Sequence, residues 1–284
     1  MKIKATKGER IFQVFNYLFL SFLSLICFYP LWHVLMASLS DSTALLSQKG
    51  LMWKPLGFDL TAYKTVLSNK NVLSGYWTTL KLLVCGISWQ MMMTTLGAYV
   101  LSRRDFMLRR PLMLAITFTM FFSGGMIPTY LNIQQLGLKG TIWGVIIPFS
   151  INTYNMIILR TAFEGIPESL LEAARMDGAG HLTSLIKIVL PLSKATLSVI
   201  TLYYGVAIWN SWFWAAQLID EEKPIAVVLR DILIANNAGA DVGVTSTEGM
   251  KYALIIVATV PILCIYPFIQ KYFTQGVMIG AVKE

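Results

Sequence analysis

The chain has 284 residues, of which 56% are hydrophobic and 13% charged, and its formal net charge is +8. A soluble domain carries about a quarter charged residues, so this composition excludes an ordinary soluble protein and makes lipid the main solvent. Only helices or a closed barrel can cross a bilayer, and the apolar runs here do not alternate as barrel strands do. The composition therefore predicts an all-α integral membrane protein.

Six apolar runs are long enough to span a bilayer, which requires about 20 apolar residues. They cover residues 11–37, 72–101, 112–131, 141–159, 196–219 and 252–273. The first run is longer than the apolar core of a signal peptide and no small-residue cleavage pattern follows it, so we expect a retained span. In the third run Gly124, Gly125 and Pro128 could break the helix or could allow close helix packing.

Basic residues are concentrated in short segments on one side of the predicted spans. These residues are Lys2, Lys4, Lys7, Arg10, Arg103, Arg104, Arg109, Arg110, Arg160, Arg175, Lys187, Lys194, Lys271 and Lys283. By the positive-inside rule both termini are predicted to be cytoplasmic, and the net charge needs no nucleic-acid partner. The outer loops 38–71 and 220–249 are long, and each is either a docking surface or a solvated connector. Lys81 lies in the second span and is expected to snorkel to the outer interface.

The cytoplasmic segment 164–191 has the pattern of two short helices. Pro167 fits a first helical position, followed by Glu168 where the helix dipole favours an acid. Gly178 and Gly180 are expected to end this helix, because glycine tolerates the left-handed conformation. Pro191 marks the return to the membrane. Apolar residues at helical spacing are Ile166, Leu170, Ala173 and Ala174 in the first helix and Leu182, Leu185, Ile186 and Val189 in the second.

The sequence has no phosphate-binding loop of the Gly-x-x-x-x-Gly-Lys-Ser/Thr type and only two histidines, His33 and His181, which are far apart. It also has no His-Glu-x-x-His site and no nucleophile elbow. We therefore expect no catalytic residues, no metal and no cofactor in this chain.

One motif in the cytoplasmic segment has fixed spacing. Glu172-Ala173-Ala174 is followed after three residues by Gly178 and, nine residues later, by the stretch from Ile188 to Pro191. This pattern resembles the signature loop of ATP-binding-cassette (ABC) importer permeases and matches it at every fixed position. The resemblance implies a type I ABC importer permease fold with six transmembrane helices, in which 1–284 is a single permease domain and 164–191 is its coupling loop. The residues implied in ATPase coupling are Leu170, Glu172, Ala173, Ala174, Asp177, Gly178 and Pro191.

The same resemblance implies partners. They are two ATPase subunits that bind ATP and Mg²⁺, a homologous second permease subunit, an extracytoplasmic sugar-binding protein and the lipid of a bacterial cell membrane. The stretches 166–168, 177–180 and 276–283 and the pair Trp209-Asn210 look like the carbohydrate-uptake class. The stretch 121–130 looks like its subgroup for complex oligosaccharides and uronate-type sugars.

A sugar needs hydrogen bonds and aromatic faces along its path through the membrane. Polar side chains inside spans are costly, so they suggest either a substrate path or contacts between helices. The candidates for the path are Asn155, Tyr204, Trp209 and Asn210. The alternatives to a sugar importer are an ABC permease for another small solute, a membrane-embedded transferase and a channel.

Overall fold

The computed structural model describes residues 6–48, 50–237 and 248–281, with side chains described for 6–48, 50–234 and 248–265. Over these residues all regular structure is helical, apart from one isolated β-bridge between Ser40 and Phe58. The helices are α1 Lys7–Ser38, α2 Ser42–Ser47, α3 Thr61–Ser68, α4 Lys70–Ser102, α5 Arg109–Phe121, α6 Met126–Gln135, α7 Trp143–Ile146, α8 Thr153–Glu164, α9 Glu168–Met176, α10 His181–Ser184, α11 Leu190–Leu192, α12 Lys194–Trp209, α13 Phe213–Leu218, α14 Ile225–Asn237 and α15 Glu248–Ala281, with a π-helical turn at Leu185–Val189. The chain divides into two compact units, Met1–Lys70 with Asp231–Pro261 and Asn71–Arg230 with Ile262–Glu284.

The first unit holds the loop that follows α1 in a defined shape. The Ser40 hydroxyl donates to the Met36 carbonyl over 2.7 Å and accepts the Leu56 N–H over 2.9 Å. Asp41 caps α2 by accepting the backbone N–H groups of Thr43 and Ala44. The hydrogen bond from the Thr43 side chain lowers the pKa of the Asp41 carboxyl below its ordinary value. The backbone around Ser40 and Asp41 is therefore tied down by polar groups of the loop itself, as ordered loop backbone must be.

Three helices are long and apolar enough to cross a membrane: α1, α4 and the Glu248–Ile265 part of α15. Two bent pairs pass the same test when each is taken together, α5 with α6 at 116° and His181–Leu192 with α12 at 86°. The described residues thus supply up to five candidate spans.

The third predicted span is broken where its glycines lie. The α5 helix ends at Phe121 and α6 begins at Met126, and Gly125 between them has φ +88. That left-handed conformation is readily open only to glycine. Of the two roles considered for these glycines, the helix break is the one observed.

The fourth predicted span, 141–159, is not one helix. Residues 147–152 are non-helical and separate α7 from α8. Pro148 lies in this stretch and cannot donate to a helical ladder. The Asn152 side chain then starts α8 by accepting the Asn155 N–H over 3.1 Å. The fifth predicted span also ends early, because α12 stops at Trp209 and the short helix α13 follows.

The second unit packs around α4, α8 and α12. Buried residues of these helices form one apolar core: Ala98, Tyr99, Leu101, Met156, Leu159, Phe163, Ile200 and Tyr204. The same core takes in Leu171 of α9 and two residues of the π-helical turn, Leu185 and Val189. The segment 164–191 is therefore anchored in the core of the helices that precede and follow it.

Candidate functional site

The α9 helix begins and ends as its sequence requires. Pro167 has φ −55 and ψ 130 and stands directly before the helix, one position earlier than predicted. Glu168 lies in the first turn and Arg175 in the last, and both charges complement the helix dipole. The predicted helix is thus observed, over Glu168–Met176.

Gly178 makes the turn that ends α9. Its φ is +82, and the N–H groups of Gly178 and Ala179 donate to the carbonyls of Arg175 and Ala174 over 3.0 and 2.8 Å. These two bonds form a Schellman motif, which satisfies the last carbonyls of a helix. Gly180 has φ −72 and precedes α10, so its predicted role in ending α9 is wrong. Only Gly178 occupies the left-handed region there.

The two faces of α9 differ in burial. Leu171 is 5% exposed and belongs to the apolar core, whereas Leu170 is 46% exposed and Met176 88% exposed. Glu172 and Ala173 are also exposed. The apolar spacing predicts one face made of Ile166, Leu170, Ala173 and Ala174. That prediction misses Leu171, which is the residue that anchors α9 in the core. The anchored face leaves the motif residues free for contact with another protein.

The second half of the segment contains the π-helical turn. The Leu190 N–H donates to the Leu185 carbonyl five residues earlier, and Pro191 follows at once. In a regular α-helix the Pro191 ring would clash with the carbonyl of Lys187. The wider turn before it accommodates the proline. The chain then bends by 86° between Leu192 and Lys194, where α12 begins, and the return to the membrane at Pro191 stays a prediction.

Ion pairs tie both ends of α9 to the connection between α4 and α5. Arg175 Nη2 lies 2.9 Å from Asp105 Oδ2, and Arg104 Nε lies 3.6 Å from Glu168 Oε2. All four side chains are largely exposed, so each pair contributes at most about 1 kcal/mol to stability. We call residues 102–109 the brace.

A less exposed network joins the brace to α8. Arg160 and Arg109 share the Glu164 carboxylate, with nitrogen–oxygen distances of 2.5 and 3.4 Å. Arg160 Nε also donates to the Leu101 carbonyl over 3.1 Å, and Arg103 Nη2 donates to the Phe163 carbonyl over 3.3 Å. The sequence identified these arginines only by their position beside the membrane. Glu164 lies four residues after Arg160 on the same helix, but it is 55 positions from Arg109, so only tertiary packing brings Arg109 to it.

The predicted path residues separate into two places. The Tyr204 hydroxyl is buried, where it bonds Thr94 Oγ1 over 2.6 Å and accepts the Asn152 N–H over 3.0 Å. Asn155 is buried in the same region, on α8. Trp209 lies 6.5 Å from the Tyr76 ring, centroid to centroid.

Asn210 is the C-cap of α12, and its side-chain amide donates to the Val206 carbonyl over 2.9 Å. Tyr204 thus serves helix packing, and sugar contact by any of the four residues stays a prediction.

Lys81 is paired with Glu222, 2.5 Å away, which gives the predicted snorkelling side chain a specific partner.

Among the described residues, no group of histidine, cysteine, aspartate and glutamate side chains could hold a metal ion. The exposed face of α9, its capped turn and the brace form a surface suited to contact with another protein.

Comparison with known proteins extends this picture. Residues 7–279 match the family described as binding-protein-dependent transport system inner membrane component. The chain is 40% identical to the polygalacturonan/rhamnogalacturonan transport system permease protein YtcP of Bacillus subtilis, over 97% of this chain and 99% of that one. It is 38% identical to protein LplC of the same organism, over 98% and 97%.

A solved structure is also similar. The chain superposes with a TM-score of 0.86 and 34% identity on a chain of a bacterial ABC transporter involved in the import of the acidic polysaccharide alginate, covering 96% of this chain and 100% of that one. The profile match, the near full-length relatives and the shared fold agree with the motif at Glu172–Pro191. The chain therefore belongs to the family of binding-protein-dependent transport system inner membrane components, which are permease subunits of ABC importers.

Proposed function

We propose that this chain forms half of the translocation pore of an ATP-driven oligosaccharide importer. A homologous second permease subunit supplies the other half, and the pair is heterodimeric. The chain crosses a bacterial cell membrane six times with both termini in the cytoplasm, as the distribution of basic residues favours. Two partner ATPases bind ATP and Mg²⁺ and perform the hydrolysis, because the sequence offers no phosphate-binding loop.

The observation that carries this proposal is the difference in burial between the two faces of α9. Its exposed residues Leu170, Glu172 and Ala173 seat in a cleft of the ATPase, as helices do in grooves. Its opposite side is held by Leu171 in the core and by the brace. A displacement of α9 by the closing ATPases therefore moves α4 and α8, whose buried residues share a core with Leu171, together with the brace, which is ion-paired to α9.

The substrate that we propose is an oligosaccharide, with uronate-containing chains as the first class to test. The support comes from two similar proteins, one a permease of a polygalacturonan/rhamnogalacturonan transport system and the other a chain of an importer of the acidic polysaccharide alginate. An extracytoplasmic binding protein delivers this sugar to the outer loops, as the family description implies. Asn155, Tyr204, Trp209 and Asn210 remain the proposed path residues.

Affinity purification of the chain from its host tests the assembly. We expect an ATPase and a second permease to co-purify, and the reconstituted complex to take up oligosaccharide only with ATP and the binding protein. Purification of the chain with no ATPase would refute the proposal and favour a channel or a membrane transferase. Uptake of a non-sugar solute alone would leave the importer assignment intact and would refute the oligosaccharide as substrate.

A further inference from the structure

A groove along α5 has cations at one end and apolar side chains over the rest of its length. Its volume is about 750 Å³, within the range of about 300–1,000 Å³ that ligand sites occupy. Arg109, Arg110 and Arg160 line one end. Leu114, Phe118 and Phe121 continue the lining along one face of α5, at helical spacing, and are largely exposed.

The cationic end has more positive than negative charge. Arg109 and Arg160 share a single carboxylate, that of Glu164. Arg110 is exposed and has no ion pair or hydrogen bond with any residue that the structure describes. Three guanidinium groups therefore face one acid. This excess of positive charge suits an anion, and the planar guanidinium group of arginine binds phosphate oxygens in pairs.

The length of the groove matches one leaflet. From Arg109 to Phe121 the helix rises about 18 Å, at 1.5 Å per residue. Half of a bilayer's hydrocarbon core is about 15 Å thick. In the proposed topology Arg109 lies at the cytoplasmic surface, so the stripe from Leu114 to Phe121 runs alongside the acyl chains of the inner leaflet.

We propose that this groove is a binding site for an anionic phospholipid, with the phosphodiester at Arg110 and an acyl chain along Leu114, Phe118 and Phe121. The inference rests on the proposed topology and on no property of the transported sugar. Basic pockets between transmembrane helices on the cytoplasmic side bind anionic headgroups by the same chemistry. A helix of the second permease would need its own acids to satisfy Arg110, whereas a phospholipid brings the charge and the chain together.

The test uses the complete transporter, with both permease subunits and both ATPases, in nanodiscs of phosphatidylcholine with or without phosphatidylglycerol. Lipid retained after detergent extraction is identified by mass spectrometry. We expect retained phosphatidylglycerol, and about fivefold weaker binding in Arg110→Gln, since one arginine near the surface is worth about that factor. Ala115→Trp fills the apolar end and should reduce retention with the arginines intact. Lys194→Gln, an exposed cytoplasmic-side lysine outside the groove, is the matched control and should bind as the wild type does.

Three results would overturn the lipid site. They are equal retention in wild type and both groove variants, competition by glycerol phosphate alone, and crosslinking of a cysteine at position 115 to the second permease with no lipid retained. ATP-dependent uptake is measured in parallel on proteoliposomes of the same two lipid compositions. Loss of the lipid result with uptake intact removes only this inference, whereas absence of an associated ATPase removes the proposed function.

Discussion

Gly178 is the residue whose backbone conformation ends α9. A side chain there must adopt φ near +82, which costs about 1 kcal/mol or more. We expect Gly178→Ala to lower the ratio of sugar transported to ATP hydrolysed while the complex still assembles. The measurement is uptake and hydrolysis on the same proteoliposomes.

Gly180 supplies the matched control for that change. It lies two residues away, has φ −72 and has open space where a Cβ would stand. Gly180→Ala should therefore transport normally. Equal impairment in the two variants would show that the left-handed turn is not what matters.

At the scale of the element, two neighbouring leucines separate anchoring from docking. Leu171→Ala removes a buried side chain and should lower the free energy of unfolding by about 2–5 kcal/mol. Leu170→Ala removes a half-exposed one and should change it by less than about 0.5 kcal/mol. We expect Leu170→Ala instead to weaken ATPase binding, measured by co-purification at rising salt. A folded Leu171→Ala variant that loses ATPase while Leu170→Ala keeps it would reverse the assignment of the two faces.

The brace makes a second prediction at this scale. Asp105→Arg and Arg175→Asp should each uncouple hydrolysis from uptake by misaligning α9, with little loss of stability because the pair is exposed. The double variant restores opposite charges at the same distance and should recover coupling. Failure of the double variant to improve on either single one would mean that the pair does not orient α9.

The elements differ in how far sequence alone predicts them. The start of α9 near Pro167 and its end at Gly178 were predicted because caps are local and depend on a few adjacent residues. The pairing of Asp105 with Arg175 was not, because the two residues are 70 positions apart and only tertiary packing brings them together. The break in the fourth predicted span was also missed, although Pro148 marks it, because its apolar run resembles a continuous helix. Leu171 was missed because both faces of α9 carry apolar residues.

At the scale of the whole molecule, the topology can be tested with matched lysine-to-cysteine changes. In a background with Cys27, Cys85 and Cys264 replaced by serine, we expect Lys54→Cys to react with a membrane-impermeant thiol reagent on intact spheroplasts. Lys187→Cys should react only after permeabilisation. Both positions are exposed, so accessibility of the side chain does not distinguish them. Labelling of Lys187→Cys from outside would invert the proposed orientation and place the coupling loop away from any cytoplasmic ATPase.

The π-helical turn before Pro191 constrains the number of residues between α10 and α12. A π turn amounts to one extra residue in an α-helix, and one residue corresponds to about 100° of rotation. The angular setting between α10 and the start of α12 therefore depends on a single inserted residue, and the proline next to it keeps that insertion in place. Deleting Ile186 would keep the other apolar residues of the segment. It would nevertheless rotate α10 relative to the start of α12. The number of residues between α10 and α12 therefore sets the rotation of one helix relative to the other. Insertions elsewhere on the surface would not change this rotation.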